Sequence, residues 1–443
     1  MTILQEYMDK HQGSAQKYQE ALGQFPSGVT HDNRYASPFP LYVTHGEGAL
    51  KWDVDGNEYV DYVMGHGALL LGHSHPAIVS AVSEQMAKGT HLGANTEQEV
   101  RWANAIKALM PYVEKLRFHS SGTEATMMAF RLARAFTGKN KIIKLQDHFH
   151  GWHDYAMAGS DRGAPGIPQS TWDSMMILPA GDLGALQRAL DSDDDIAAVI
   201  LEPTGAHFGQ LPLDLPDYLL GLRELTSRHG VLLIMDEVVT GFRIHPGGVQ
   251  TLHDVRPDIT TLAKIAAGGL PGGAVAGRAE IVDMMAFTGD SAHDSVNRVY
   301  HPGTFNANPL SAAAGYTCLE MLAQGSINQQ ANAMADRLKA GMNDILSKNE
   351  VAGHAHGIAS IVQLVMADCD CDRSICTMPH SQIKQAIAAP RVTALKRSLQ
   401  NNGVDIMGRS AFLVSGVHTE DQIDRTLDSL ERTLSEMRNE DVL

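Results

Sequence analysis

Lys264 stands in the stretch DITTLAKIAAGGLPGGAV, residues 258–275, as the one charged side chain between Asp258 and Arg278. Leu262, Ala263, Ile265, Ala266 and Ala267 surround it, and a run of glycines follows. Burial among such groups disfavours an ammonium, so this amine is set up to lose its proton and act as a nucleophile or a proton carrier. Three further stretches carry related chemistry. In HSSGTEATMMAFRLARAFTG, Ser121 and Glu124 have capping-box spacing, while Gly122 and Thr123 add backbone N–H groups and a hydroxyl at a positive helix end. Together these cradle an anion such as a phosphate, although read alone they describe an ordinary N-cap. In GVLLIMDEVVTGF, Asp236 ends an apolar, strand-like run, where an α/β sheet presents side chains to a ligand. A carboxylate there can hold a proton on a ring nitrogen; a helix cap or a structural hydrogen bond is the alternative.

The histidines of LQDHFHGWHD, His148, His150 and His153, look at first like metal ligands. Gly151 interrupts the helix that a two-histidine zinc site uses, and no H-E-x-x-H pattern accompanies them. An aromatic–His–Gly turn pressed against a flat ring fits better. A deprotonatable lysine, a carboxylate for a pyridinium nitrogen, a phosphate cradle and an aromatic plate are the parts of a pyridoxal 5'-phosphate site. In such a site the lysine bonds to the cofactor aldehyde and the protonated ring draws electrons from the substrate's α-carbon.

The elements that must hold these residues are legible as alternating patterns. From about residue 95, helical stretches such as EATMMAFRLARAFTG alternate with short aliphatic runs, KIIKL, IAAVILEP, GVLLIMDEV and GGAVAG. Short, nearly continuous apolar runs between helices predict buried, mostly parallel strands, hence an α/β sheet with ligands at the strands' carboxyl ends. DVDGNEY, flanked by β-formers, predicts a hairpin. SINQQANAMADRLKAGMNDILSKN predicts a long helix, and a mixed α+β tail follows. The expected organisation is an N-terminal segment, 1–49, that contributes to a smaller domain, a large domain over 50–310, and a C-terminal part of the small domain over 311–443.

The totals bound the function. The chain has 443 residues and a formal net charge of −16. That charge argues against nucleic acid or an anionic membrane surface as partner, since both select basic faces. No apolar run approaches a membrane span, the N-terminal MTILQEYMDKHQGS has no apolar signal core, and four cysteines are too few to staple a secreted fold. The expected home is the cytoplasm. Cys369, Cys371 and Cys376 cluster in CDCDRSIC, but without a CxxC knuckle or an evident fourth ligand an exposed loop is expected, and no metal.

At these residues the chain resembles the class III, fold-type-I aminotransferases, particularly those similar to glutamate-1-semialdehyde aminomutase. The likeness runs from about Pro26 to Thr426 through WDVDGNEYVDYV, LGHSHP, SSGTEATMMAFRLARAFTG, FHGWHD, DEVVTGFR, TTLAKIAAGGLPGGAVAGR, GTFNANPLSAAAG and HTEDQIDRT. It implies a large domain with a seven-stranded, mostly parallel sheet flanked by helices, and a smaller α+β domain. It also implies that Lys264 carries the cofactor, that Asp236 partners the pyridine nitrogen, and that Val238 lies on one ring face. Phe149 would stack on the other face with His150 beside it. Ser121, Gly122 and Thr123 would hold the phosphate, Glu202 would stand near the cofactor, and Thr304 would reach the phosphate of a neighbouring subunit in a homodimer with shared active sites.

The resemblance also bears on substrate. PSGVTHDNR aligns on the aminomutase pattern PGGVNSPVR, which places Arg34 at the arginine that binds a substrate carboxylate; a planar guanidinium suits that task. His66, in YVMGHG, replaces an aminomutase tryptophan. Arg409 stands beside Ser410 where an aminomutase has an acidic residue, and it resembles the carboxylate-binding arginine of β-phenylalanine and D-phenylglycine transaminases. His207 is a candidate for the pocket lining. A mutase must retain a cationic diamine, which acidic lining favours, whereas two arginines favour carboxylates. The reading is therefore an aminotransferase moving an amino group between an amino acid, including β- and D-aryl types, and an oxo acid in two half-reactions. Glutamate-1-semialdehyde 2,1-aminomutase and a class III racemase or epimerase are the alternatives. A metal-dependent or non-catalytic module built on the histidine cluster is the alternative from another class, and a colourless zinc protein would reveal it.

Overall fold

The computed structural model describes residues 1–159, 165–369, 376–388 and 390–443. Cys371 lies outside the described residues. The chain divides into two units, Pro76–Ser326 and a second assembled from Met1–His75 with Ile327–Leu443.

A seven-stranded sheet organises Pro76–Ser326. Its order is Lys115–His119, Gly273–Gly277, Ile259–Ala263, Leu232–Asp236, Ile196–Leu201, Lys141–Leu145, Met175–Leu178. Gly273–Gly277 alone runs antiparallel to its neighbours; the remaining pairings are parallel. Every residue of Ile196–Leu201 and of Leu232–Asp236 is buried, which explains why these strands read as unbroken aliphatic runs rather than alternating ones. The helix Gly122–Thr137 buries Met128, Ala129, Phe130, Leu132 and Ala133, which pack with Ile142, Ala198, Ile200, Ile234 and Val275 of the sheet. It ends at Gly138, whose φ of 69° lets the chain turn out of the last helical turn. Because the parallel strands share one direction, the loops after residues 119, 145, 201, 236 and 263 all leave at one edge of the sheet.

The other unit holds two small sheets against helices. Val43–Glu47, Leu50–Asp53 and Glu58–Asp61 form an antiparallel meander, and Glu58–Asp61 pairs in parallel with the distant Val404–Asp405. The expected hairpin is present, with its turn held by the Asp53 carboxylate, which accepts from the N–H groups of Asp55 and Asn57 at 2.9 and 2.8 Å. His354–His356, Ile361–Val365 and Ala411–Leu413 form a three-stranded antiparallel sheet. Helices Ser326–Lys348 and Glu420–Asn439 contribute Met334, Leu338, Met342, Ile423, Leu430 and Leu434 to a core shared with Val362, Leu364 and Phe412.

The division differs from the expected boundaries at 50 and 310, for two reasons of long-range packing. Residues 50–75 join the smaller unit because their strands complete a sheet with Val404–Asp405. Residues 311–326 stay with the larger one because helix Pro309–Leu322 packs on Pro76–Lys88 and Glu97–Leu109.

A buried charge cluster fixes the meander. Lys51 Nζ donates to Asp61 at 2.8 Å and to Asp405 at 2.5 Å, while His73 Nε2 lies 2.7 Å from the other Asp61 oxygen. Lys51 holds both carboxyls below the ordinary carboxylate range. Depressed folded-state pKa values mean that this contribution is present above about pH 4 and fades as pH falls. Removing the cation while leaving two buried carboxylates is the costly way to break such a cluster. Lys51→Ala is expected to lower the unfolding free energy by about 3–5 kcal/mol in urea denaturation. A loss under about 1 kcal/mol, the scale of exposed pairs, contradicts the assignment.

Candidate active site

Strand register gathers the chemistry of the larger unit. Ala263 and His119 flank Gly273 on its two sides, so Lys264 and the turn Ser120–Thr123 begin just past the same row of the sheet. One strand further over, Thr261 is level with Asp236. Gly273 must be glycine, because a Cβ would lie 2.6 Å from the carbonyl oxygen of Ser121. Gly122 has a similar reason: its Cβ would lie 2.9 Å from a Val238 methyl. The helix N-terminus therefore sits directly against Val238, its hydroxyl-bearing turn open beside it.

The cap differs in one detail from the sequence reading. Ser121 Oγ accepts from Glu124 N–H at 3.2 Å, as expected, but Glu124 reaches back to Ser120 N–H at 2.7 Å, one residue before the N-cap. That leaves the N–H groups of Ser121, Gly122 and Thr123 outside the reciprocal pair.

Lys264 follows the last strand residue with φ 55°, a left-handed conformation that costs a non-glycine residue about 1–2 kcal/mol. Burial pushes its amine below the usual lysine value; Asp236 and Glu202 oppose the shift, and Arg243 adds to it. Asp236 is buried and held on three sides. Its Oδ2 lies 2.7 Å from His150 Nδ1, and its Oδ1 accepts from Thr261 Oγ1 and Val238 N–H, each at 3.1 Å. With Nδ1–H donating to the carboxylate, the other ring nitrogen of His150 is an acceptor, and it has no hydrogen-bond partner among the described residues. Burial also lowers the His150 pKa, against the pull of Asp236, which favours the neutral ring.

Glu202 has a role that its position in LEPTGA did not disclose. Oε1 accepts from Phe149 N–H at 2.7 Å and His207 N–H at 2.9 Å, and Oε2 accepts from Phe208 N–H at 2.7 Å. It thus ties the Phe149 loop to the His207 loop. Burial pushes its carboxyl up to about 7 in spite of these donors. The ring of Phe149 is left exposed. Thr126 fastens the same turn from below by donating to the His150 carbonyl at 2.7 Å, and a Cβ on Gly151 would strike Thr123.

The three histidines part company. His148 Nδ1 accepts from Glu202 N–H at 2.8 Å, His150 turns to Asp236, and His153 lies edge-on to Phe130. Of the residues singled out in the larger unit, Asp236 with Val238 and His150, and Phe149 with Glu202 and His207, are joined by hydrogen bonds, Gly122 lies against Val238, and Lys264 feels the charges of Asp236 and Glu202. Thr304 belongs to that unit as well but is exposed, its carbonyl accepting from His91 Nε2–H at 2.5 Å. Arg34, His66 and Arg409 belong to the other unit. Arg34 is exposed and donates to Thr30 Oγ1 at 3.0 Å, and three residues before it His31 stacks on His66 with ring centroids 5.0 Å apart. Arg409 has φ 61°, and its carbonyl accepts from Gln363 Nε2 at 2.6 Å. Thr261 and Arg243 were missed by sequence reasoning. Thr261 carries a signal, a hydroxyl on the strand next to Asp236, but only strand register makes it readable.

The pocket fits pyridoxal phosphate on three counts of its own geometry. Gly122 keeps the helix end free of a side chain, a carboxylate and a deprotonatable amine end adjacent strands, and an exposed aromatic ring stands beside them.

Glu202→Gln replaces one acceptor oxygen by an N–H₂ facing a backbone donor. The expected cost is about 1–3 kcal/mol, with faster hydrogen exchange at the amides of Phe149, His207 and Phe208. Unchanged protection at all three contradicts the tie.

The family model described as Aminotransferase class-III matches residues 31–434. A glutamate-1-semialdehyde 2,1-aminomutase of Methanothrix thermoacetophila is 41% identical over 356 residues, covering 78% of this chain and 80% of that one. Among solved structures, a transaminase with PLP bound is 30% identical with a TM-score of 0.86, covering 97% of this chain and 99% of that one. A β-phenylalanine aminotransferase from Variovorax paradoxus is 29% identical with a TM-score of 0.84, covering 99% and 97%. The chain, with its mostly parallel seven-stranded sheet and its lysine and carboxylate at the ends of adjacent strands, belongs to the class III aminotransferase family.

Proposed function

We propose that the chain is an aminotransferase that moves an amino group between an amino acid and an oxo acid in two half-reactions. As a class III aminotransferase it is a pyridoxal-phosphate enzyme. The observation that carries the proposal is the convergence at one sheet edge of Lys264, Asp236 and the Ser121–Thr123 turn.

When bound, pyridoxal phosphate supplies a ring that withdraws electrons from the substrate carbon bearing the amine. This chain's residues do the rest. The N–H groups of the helix end at Gly122 and Thr123, with the Ser121–Thr123 hydroxyls, bind the phosphate. Asp236, anchored by His150, Thr261 and the Val238 N–H, would hold a proton on the ring nitrogen. Val238 and Phe149 would lie on the two faces of the ring, and Glu202 keeps the Phe149 loop in place. Lys264, desolvated and so deprotonatable, would be the amine that holds the cofactor and, when free, would move a proton at the substrate carbon.

Thr304 is assigned to a phosphate in a second copy's site, making the working unit a homodimer. Its exposure, beside exposed Phe305 and Tyr300, supports that reading. Arg34 and Arg409 are assigned to substrate carboxylates, His66 with His31 to the shape of the side-chain pocket, and His207 to its lining. Two arginines with no acidic counterpart at Ser410 favour exchange with an oxo acid over retention of a diamine. The second reading, glutamate-1-semialdehyde 2,1-aminomutase, is favoured by the 41% identical relative.

The two readings separate in a half-reaction screen. Purified enzyme is mixed with single D-, L-, α- and β-amino acids, and separately with glutamate 1-semialdehyde, while the cofactor band and released oxo acid are followed. Stoichiometric oxo acid, and regeneration of the band by a second oxo acid, is expected. Conversion of glutamate 1-semialdehyde without any second acceptor would instead establish the mutase. Lys264→Ala is expected to lower turnover by about a thousandfold or more, judged against the scale of general acid–base contributions. Substantial residual turnover in that variant removes Lys264 from the mechanism.

A further inference from the structure

The smaller unit holds a cluster that the cofactor chemistry does not use. In the sheet of His354–His356, Ile361–Val365 and Ala411–Leu413, side chains alternate between two faces. Ala355, Val362, Leu364 and Phe412 enter the hydrophobic core, so His354 and His356 project to the opposite face, level with Val365 and Gln363. Both imidazoles are nonetheless buried, 2% and 0% exposed, with ring centroids 5.4 Å apart. Neither ring nitrogen of His356 has a hydrogen-bond partner among the described residues. Two polar rings are thus buried side by side on an edge strand, away from the hydrophobic core.

A ring nitrogen of His354 and the sulfurs of Cys369 and Cys376 all lie within 4.8 Å of one another. Cys376 is buried, which corrects the expectation of an exposed loop for the cysteine cluster, and Cys369 is half-buried at its rim. The spacing rule that argued against a metal compared cysteines only with each other. It could not see a histidine more than a dozen residues upstream on a paired strand.

We propose that His354, Cys369 and Cys376 form a binding site for zinc, separate from the cofactor residues. Two sulfurs and an imidazole are the donors that zinc selects. Zn–S bonds of about 2.3 Å and Zn–N bonds of about 2.0–2.1 Å put tetrahedral donors roughly 3.5–3.8 Å apart, so closing from the observed spacing takes only small side-chain adjustments. Binding releases two protons, one from each thiol, and Zn²⁺ with two thiolates and a neutral imidazole carries no net charge. A neutral site is the kind a buried pocket tolerates. The fourth tetrahedral position is left to water. The ion would fasten the chain at Cys369 and Cys376 to the edge strand His354–His356.

Full-length holoenzyme, dialysed after loading with zinc alone, is expected to retain about one zinc per chain by elemental analysis, held by two thiolates and an imidazole. His354→Ala, Cys369→Ser and Cys376→Ser are each expected to retain less than about a tenth of that. Cobalt loaded in place of zinc should show intense tetrahedral bands at the long-wavelength end of the visible, clear of the cofactor, and lose them in Cys369→Ser. That variant sits at the rim of the pocket, so it keeps the test open if the buried substitutions fail to fold. Wild-type protein that retains no zinc, equal retention in folded variants, or recovery of Cys369 and Cys376 as a disulfide from reduced protein overturns the proposal.

Discussion

The site depends on one constraint, the shared desolvation of an amine and a carboxylate at the ends of neighbouring parallel strands. Lys264 is displaced below its ordinary pKa by burial, yet Asp236 and Glu202 pull in the other direction. An amine among aliphatic groups alone would be neutral and inert in position; one beside a free carboxylate would stay an ammonium. Asp236 escapes that outcome because its oxygens are already engaged with His150, Thr261 and the Val238 N–H. The strand register that sets Thr261 level with Asp236 therefore determines both the hydrogen bonding of the acid and the reach of the lysine three residues on.

Around that pair the polar groups act as fasteners for loops. Glu202 is the clearest case, a buried carboxyl whose burial pushes it up to about 7 while three backbone N–H groups converge on it. Its energetic value lies in the three backbone donors it satisfies at once. The absence of side chains matters equally: Gly122, Gly151 and Gly273 let the Ser121–Thr123 turn, the aromatic loop and the sheet approach closely.

Much of this was legible in the sequence because it is local or periodic. Unbroken aliphatic runs at 196–201 and 232–236 identified buried strands, and the apolar stripe after Ser121 identified the helix it caps. What escaped was non-local. The smaller unit takes residues 50–75 because Val60 and Asp61 pair with Val404 and Asp405, a partnership across more than three hundred residues that no window reveals. Glu124 reaching Ser120 rather than Ser121 is a matter of one rotamer. His354 meeting Cys369 and Cys376 is set by a strand edge, not by spacing. Glu202 stood in a recognised motif, yet its work is done through backbone amides, whose direction is invisible until the loops are folded.

The central claim is that the Lys264 amine is the one joined to the cofactor. Borohydride reduction of the purified enzyme followed by proteolysis and peptide mass spectrometry tests it most directly. The account predicts a single pyridoxyl-phosphate adduct, on the peptide carrying Lys264 and in near-stoichiometric amount. An adduct centred on another lysine, such as the buried Lys144, or no adduct from protein shown to carry the cofactor, would contradict it.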